Sequence, residues 1–209
     1  MAETIALVDY GAGNLHSVAN ALRAAGAQEV AVTSDPSTVR AADRIVLPGV
    51  GAFAACAGAL RGVPNLIEAM TERVHVGGAP FLGICVGMQL LASRGVEHGV
   101  SDGLGWVAGE VLPIKRTDPA IKVPHMGWND VAPTPHADGA ELVEPGEAYF
   151  LHSYHFVPED GRSIAALTDH GGGLVAAVAR DNLVGVQFHP EKSQGYGLAF
   201  LARFLEWKP

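Results

Sequence analysis

Pro80-Phe81-Leu82-Gly83-Ile84-Cys85-Val86-Gly87-Met88-Gln89-Leu90-Leu91 is the stretch on which the reading of this chain turns. A short apolar run arrives at a Gly-x-Cys-x-Gly core, and a helix-prone segment leaves it. That layout is a nucleophile elbow with cysteine at its tip. A nucleophile on a sharp strand-to-helix turn crowds the backbone on either side, so Gly83 and Gly87 stand where Cβ atoms would collide. A helix beginning right after Cys85 would aim its first amides at the sulfur, favouring a thiolate and offering a donor to an oxyanion. The plainer alternative is a buried cysteine between two packing glycines, since free cysteine is among the most buried residue types.

Upstream of the elbow the chain alternates between two textures. Ile5 to Asp9 is a continuous apolar run, the mark of a strand buried on both faces of a parallel sheet. Leu15, Val18, Ala19 and Leu22 then fall on one helical face, closed by Gly26. Val30 to Thr33 reads as a second strand, Asp35-Pro36 as a helix start, and Arg44 to Leu47 as a third strand running into Pro48-Gly49-Val50-Gly51. Helical material follows at about Phe53 to Leu60 and Asn65 to Val74, and the elbow strand is fourth. The fold class is α/β, an open, mostly parallel, flavodoxin-like sheet flanked by helices. Gly11-x-Gly13 lacks the third glycine and the acid of a dinucleotide loop, so that reading is rejected.

Downstream, strand-like stretches dominate: Trp106 to Ile114, Val123 to Val131, Tyr149 to Val157, Ile164 to Leu167, Leu174 to Val178 and Val184 to Phe188. Leu198, Leu201 and Leu205 mark a final amphipathic helix. Antiparallel additions to the sheet are expected in this half. With 209 residues and no linker or repeat, the chain reads as one domain over residues 1–209.

A net charge of −8 argues against a nucleic-acid or anionic-membrane partner. No apolar run approaches a membrane span, and Met1-Ala2-Glu3-Thr4 carries no sign of a secretory leader. Two cysteines in a chain this long suggest a reducing, cytoplasmic setting rather than a disulfide scaffold. Cys56, in an Ala-rich helical context, reads as structural.

The second informative stretch is Gln187-Phe188-His189-Pro190-Glu191-Lys192-Ser193. His189 lies at the end of a buried strand, and Pro190 restricts it to extended geometry. Residues i and i+2 then point the same way, so Glu191 can hold the His189 ring if the backbone bends slightly. A cysteine needs an imidazole to become a thiolate, and the imidazole needs a carboxylate to fix its tautomer. The alternative is that His-Pro-Glu merely terminates a strand. A tetrahedral intermediate would also want inward backbone amides, for which Gly51, in the loop after the third strand, and Val86 are the candidates.

Assembled, these residues resemble the class I glutamine amidotransferases, over essentially the whole length. Gly83-Ile84-Cys85-Val86-Gly87-Met88-Gln89 and Phe188-His189-Pro190-Glu191 carry the likeness to the superfamily. A narrower likeness rests on Asp9-Tyr10-Gly11-Ala12-Gly13-Asn14-Leu15, Leu47-Pro48-Gly49-Val50-Gly51-Ala52-Phe53, Val123-Pro124-His125-Met126-Gly127-Trp128-Asn129, Tyr149-Phe150-Leu151-His152-Ser153-Tyr154 and Lys192-Ser193. It is to the branch whose members serve as glutaminase subunits in histidine biosynthesis. Val86 departs from the leucine usual there, but only its backbone amide is asked to act.

The resemblance implies that Cys85 attacks the side-chain amide of glutamine, His189 shuttles the proton and Glu191 orients His189. It implies Gly51 and Val86 as oxyanion donors, and Gly49, Gln89, Glu97, Ser153 and Tyr154 as substrate-binding positions. It implies a (β/α)8-barrel cyclase subunit as partner, met near Asn14, Tyr149 and Lys192, and no cofactor. Read without it, Glu97 is a solvated acid, Ser153 a strand residue, Asn14 a helix N-cap and Lys192 a solvated charge.

Two other functions remain to be weighed. A glutaminase of another pathway would share the triad but lack the Asp9 to Leu15 and Val123 to Asn129 signatures. A binding module with a lost site would not keep all three triad residues. A metal site is not expected, because His152 and His155, three apart in an extended strand, would face opposite ways.

Overall fold

Each apolar run of the first half becomes a parallel strand in the computed structural model, which describes residues 3–116, 118–135 and 139–209. Met1 and Ala2, read above for the absence of a leader, lie outside the described residues. The strands are β1 Thr4–Val8, β2 Glu29–Thr33, β3 Arg44–Gly49 and β4 Phe81–Cys85. Helices α1 Leu15–Ala24, α2 Pro36–Ala41, α3 Phe53–Gly62 and α4 Leu66–Thr71 connect them, α4 continuing as a π-helical turn over Glu72–Val76. The α1 stripe buries Val18, Ala19, Ala21 and Leu22, as its spacing requires. Asp35 starts α2 by accepting hydrogen bonds from the Ser37 and Thr38 amides, with Pro36 in the first turn.

The later elements are α5 Val86–Gln89, β5 Arg94–Gly95, β6 Ser101–Asp102, β7 Gly109–Pro113, β8 His125–Pro133 and β9 Gly146–His152. They continue with β10 Tyr154–Pro158, β11 Ile164–Asp169, β12 Gly173–Arg180, β13 Leu183–Val186 and α6 Gln194–Glu206. The nine-stranded sheet runs β2-β1-β3-β4-β13-β12-β11-β8-β9, and a four-stranded sheet runs β10-β7-β5-β6. Strands β2 to β13 in that order are parallel, and β12, β11, β8 and β9 extend them antiparallel.

The chain leaves β1 toward β2 and then reverses to lay β3 on the other side of β1. Right-handed crossovers therefore send α1 to one face and α2 to α4 to the other. The packing agrees: α6 joins α1, while α2 and α3 pack on α4. Such a reversal opens a crevice at the carboxyl ends of the strands, where the β3 loop and the elbow lie. Phe188 anchors that end of the sheet, its ring meeting Phe150 and Phe200 edge-on at 5.9 and 5.7 Å. Each such fully buried ring contributes about 2–3 kcal/mol of transfer free energy.

Four expectations need correction. Tyr149 to Val157 is two strands, not one, because the chain turns a corner at Ser153 and enters the other sheet as β10. The corner is held by the His152 ring, whose Nδ1–H donates to the Tyr154 carbonyl at 2.9 Å. The strand expected from Trp106 begins only at Gly109, and the one expected from Val123 begins at His125 and runs on to Pro133. The helix leaving the elbow is short, four residues of α5 followed by turns.

Candidate active site

Cys85 ends β4 with φ 55 and ψ −113, a conformation that costs an L-residue about 1–3 kcal/mol and persists only where packing enforces it. The packing is visible at the two glycines. A Cβ on Gly83 would lie 2.6 Å from the Gly87 carbonyl oxygen, and one on Gly87 would lie 1.9 Å from the Leu47 oxygen. Both glycines are therefore demanded by close backbone approach, as the spacing predicted. The expected helix N-terminus is weak, however. A single turn sums few peptide dipoles, so α5 gives the sulfur little field. The charges and donors near Cys85 must come from elsewhere.

They come from the chain beyond β13. That strand lies parallel to β4, Val186 opposite Ile84, so the residues after it emerge beside Cys85. His189 is extended at φ −100 and ψ 97, as Pro190 requires, and Pro190–Lys192 then closes a 3-10 turn. The turn brings Glu191 Oε1 to 2.8 Å from His189 Nδ1. The Ser193 hydroxyl locks it, accepting from the Tyr149 amide and donating to the His189 carbonyl. With Nδ1–H committed to Glu191, Nε2 is left for Cys85, which lies beside the ring in the same cavity. Burial pulls the imidazole down, but the hydrogen bonds and charges of Cys85 and Glu191 outweigh it and push it up to about 10. His189 therefore holds a proton at neutral pH. The second Glu191 oxygen is buried with no hydrogen-bond partner among the described residues, so that carboxylate's compensation rests on the imidazole.

The loop after β3 faces the elbow. Gly49 pairs with Cys85 across the β3–β4 ladder. Tyr10 donates its hydroxyl to the Pro48 carbonyl at 2.8 Å, and the Cys56 thiol donates to the Val50 carbonyl at 3.3 Å. Burial pushes both the Tyr10 hydroxyl and the Cys56 thiol up, so both stay protonated donors. Cys56 was expected to be merely structural. It pins the peptide that carries the Gly51 amide, and Gly51 itself, at φ 100, is in a region L-residues rarely enter.

A cavity of about 310 Å³ opens over the sulfur, lined by Val50, Gly51, Cys85, Val86, Gln89, Glu97, Ser153, Tyr154, His189 and Lys192. Every expected catalytic, oxyanion and substrate position lines it except Gly49, which pairs with Cys85 across the β3–β4 ladder, and Glu191, behind His189. Pro124, Leu151 and His152 complete the wall. Glu97 is not simply solvated: its Oε2 accepts the Phe53 amide at 2.6 Å, at the start of α3. Gln89 Nε2 donates to the Tyr154 carbonyl at 3.0 Å and to Gln187 Oε1 at 2.9 Å.

Of the expected interface residues, Lys192 lines the cavity. Lys192 Nζ stands 5.7 Å over the Tyr149 ring. Asn14 precedes α1, which packs on the Pro190–Lys192 turn, but its side chain makes no capping hydrogen bond. His152 does not share a strand with His155, so the argument from opposite faces fails in its premise. Both His152 nitrogens are occupied, Nδ1 by the Tyr154 carbonyl and Nε2 by His125 Nδ1 at 2.9 Å. Sequence reasoning gave no role to the Gln187 and Tyr10 side chains. Only Gln187 left a trace, as a polar residue closing an otherwise apolar run.

A sheet reversal, an elbow cysteine, an imidazole and a carboxylate define a class of amide-cleaving enzymes. The family described as "Glutamine amidotransferase class-I" matches residues 6–206, and the chain belongs to it. The "Imidazole glycerol phosphate synthase subunit HisH" of Zymomonas mobilis is 59% identical over 208 residues, 99% of this chain and 97% of that one. The protein of the same name from Rhodospirillum rubrum is 53% identical over 98% of this chain and 99% of its own. Among solved structures, a glutamine amidotransferase crystal structure superposes with a TM-score of 0.73 at 19% identity, over 96% of this chain and 97% of the other, a likeness of fold.

Proposed function

We propose that this chain is the glutaminase subunit of an imidazole glycerol phosphate synthase, and that Cys85, His189 and Glu191 are its catalytic triad. The observation that carries the reading is that Cys85 and His189 line one cavity, with the Glu191 carboxylate behind the imidazole at 2.8 Å from its Nδ1. Cys85 sulfur attacks the side-chain carbonyl carbon of glutamine. The oxyanion is met by the amides of Gly51 and Val86. His189 passes its proton to the departing nitrogen, the C–N bond breaks, and ammonia leaves a glutamyl thioester. Water, deprotonated by the now neutral His189, attacks the thioester, and glutamate leaves as the C–S bond breaks. Glu97, one oxygen spent on Phe53, has the other for the substrate ammonium, together with Gln89 Oε1. Ser153 and Tyr154 take the carboxylate side.

Residues 1–209 act as one domain, because β13 is wedged between β4 and β12 and ties the two halves together. Ammonia is mostly protonated in neutral water, so its release needs a receiving partner. The relatives are named as subunits of a synthase, and the partner proposed here is the (β/α)8-barrel cyclase of histidine biosynthesis. Two free buried cysteines suit a reducing cytoplasm. Among the described residues no helix is long and apolar enough to cross a membrane.

The test is direct. Cys85→Ser abolishes glutamine-dependent synthesis by the mixed subunits while ammonia-dependent synthesis continues, and a glutamine-like electrophile labels Cys85 ahead of Cys56. Turnover of glutamine by the Cys85→Ser protein would refute the assignment.

A further inference from the structure

The sulfur of Cys85 has a second neighbour that the triad leaves unused. Gln187, with no exposed surface, presents Nε2 at 3.6 Å from Cys85 Sγ, an ordinary length for a donor to so large an atom. Which end of the amide faces the sulfur is dictated from a distance. The Tyr154 carbonyl can only accept, so Gln89 must turn its NH2 toward it. The same nitrogen reaches Gln187, which must therefore answer with Oε1. That leaves the Gln187 NH2 for Cys85. His152 donates to the same Tyr154 carbonyl and so fixes its position from the other side. A glutamine kept only to satisfy Gln89 would account for Oε1 and leave the contact of Nε2 with sulfur without a reason. The shortness of α5 leaves room for such a donor to matter.

We propose that Gln187 is a further catalytic residue, its Nε2–H donating to Cys85 Sγ, with Gln89, His152 and the Tyr154 carbonyl as the positioning groups that set its direction. The inference rests on Cys85 being the nucleophile. The donor favours the anionic sulfur before attack. It weakens when the C–S bond forms and the charge leaves, and it strengthens again as that bond breaks and sulfur departs with its electron pair. The attack gains only through the larger share of anionic sulfur, whereas the hydrolysis of the thioester gains directly, because the donor strengthens as the C–S bond breaks.

The experiment uses the chain in complex with the cyclase subunit. Gln187→Met keeps the length of the side chain and removes the donor. Its kcat for glutamine is expected to fall about 10- to 100-fold with KM changed less than about 2-fold. The pH profile of Cys85 alkylation by iodoacetamide is expected to move up by about one unit, a readout that loss of packing alone would not shift. In the unsubstituted complex, the Gln187 side-chain amide proton is expected to change resonance when Cys85 is alkylated, which needs no variant to fold. An unchanged kcat and alkylation profile in Gln187→Met, or an amide resonance indifferent to the state of Cys85, overturns the proposal. If instead Cys85→Ser still turns over glutamine, the nucleophile assignment has failed, whatever Gln187 does.

Discussion

His189 and Glu191 are two residues apart in sequence, and a 3-10 turn makes them partners at 2.8 Å. The proton held by His189 depends on the negative charge beside it, since burial alone would drive it off. Glu191→Gln keeps an acceptor for Nδ1–H but removes the charge. Its kcat is expected to drop by at least about 100-fold. The alkaline limb of the pH–rate profile, set in the unsubstituted enzyme by loss of the His189 proton near pH 10, should move to lower pH in the variant. A variant with the same limb would show that Glu191 acts only as a spacer. At this scale the clustering of Cys85, His189 and Glu191 was legible because the glycines and proline around them are forced by sterics, which sequence spells out locally. Gln187 was not, because its role depends on a neighbour 102 residues away.

Among elements, the ribbon of β8 and β9 carries a polar ladder that the apolar pattern hides. Asn129 Nδ2 faces His125 Nε2 at 3.0 Å, and His125 Nδ1 faces His152 Nε2 at 2.9 Å. Because His152 Nδ1–H is committed to a carbonyl, its Nε2 accepts, and His125 must donate through Nδ1. Both rings are neutral. Burial first, then the positive field of His170, lowers His125 to about 4, and burial above all lowers His152 to about 3. An unfolded chain takes up these protons near the ordinary 6.5, which the native state refuses. The contribution of these two rings to stability is thus complete above pH 6.5 and lost as pH falls toward 3, by up to about 1.4 kcal/mol per pH unit per ring. His189 does not offset this, since its raised value contributes fully below 6.5 and falls away only toward 10. Urea unfolding should show a midpoint lower at pH 5 than at pH 7, and a reduced difference in His125→Gln. Equal dependence in the two proteins would contradict the ladder. The strands here were found but their limits were not, because the corner at Ser153 is made by side-chain hydrogen bonds with no periodic signature.

On the scale of the whole molecule, one rim of the cavity is apolar and uncovered. Met126 and Trp128 are 64% and 47% exposed on β8, and Leu151 is 38% exposed on β9. In register, Met126 faces Leu151 and Trp128 faces Tyr149, beside Lys192, so these side chains form one patch at the mouth of the site. A partner that receives ammonia has to seal this mouth, and an aromatic at such a place dominates binding. Trp128→Ala is expected to weaken the cyclase complex by at least about 10-fold in Kd, measured by calorimetry. Undiminished affinity would move the contact elsewhere. Fold class was legible from the alternation of apolar runs and glycine turns up to the elbow. The strand that completes the site was read correctly as a strand, but its insertion between β4 and β12 follows from pairing across the chain.

That insertion also fixes an order of events in time. The segment bearing the imidazole leaves the ribosome some hundred residues after the sulfur, and the β12–β13 hairpin must dock on β4 before the two can meet. Until it does, the nascent chain holds a reactive atom without its base. On the mechanism proposed for Cys85 and His189, glutamine is safe from an unfinished copy, and nitrogen begins to flow only from a molecule whose central strand is home.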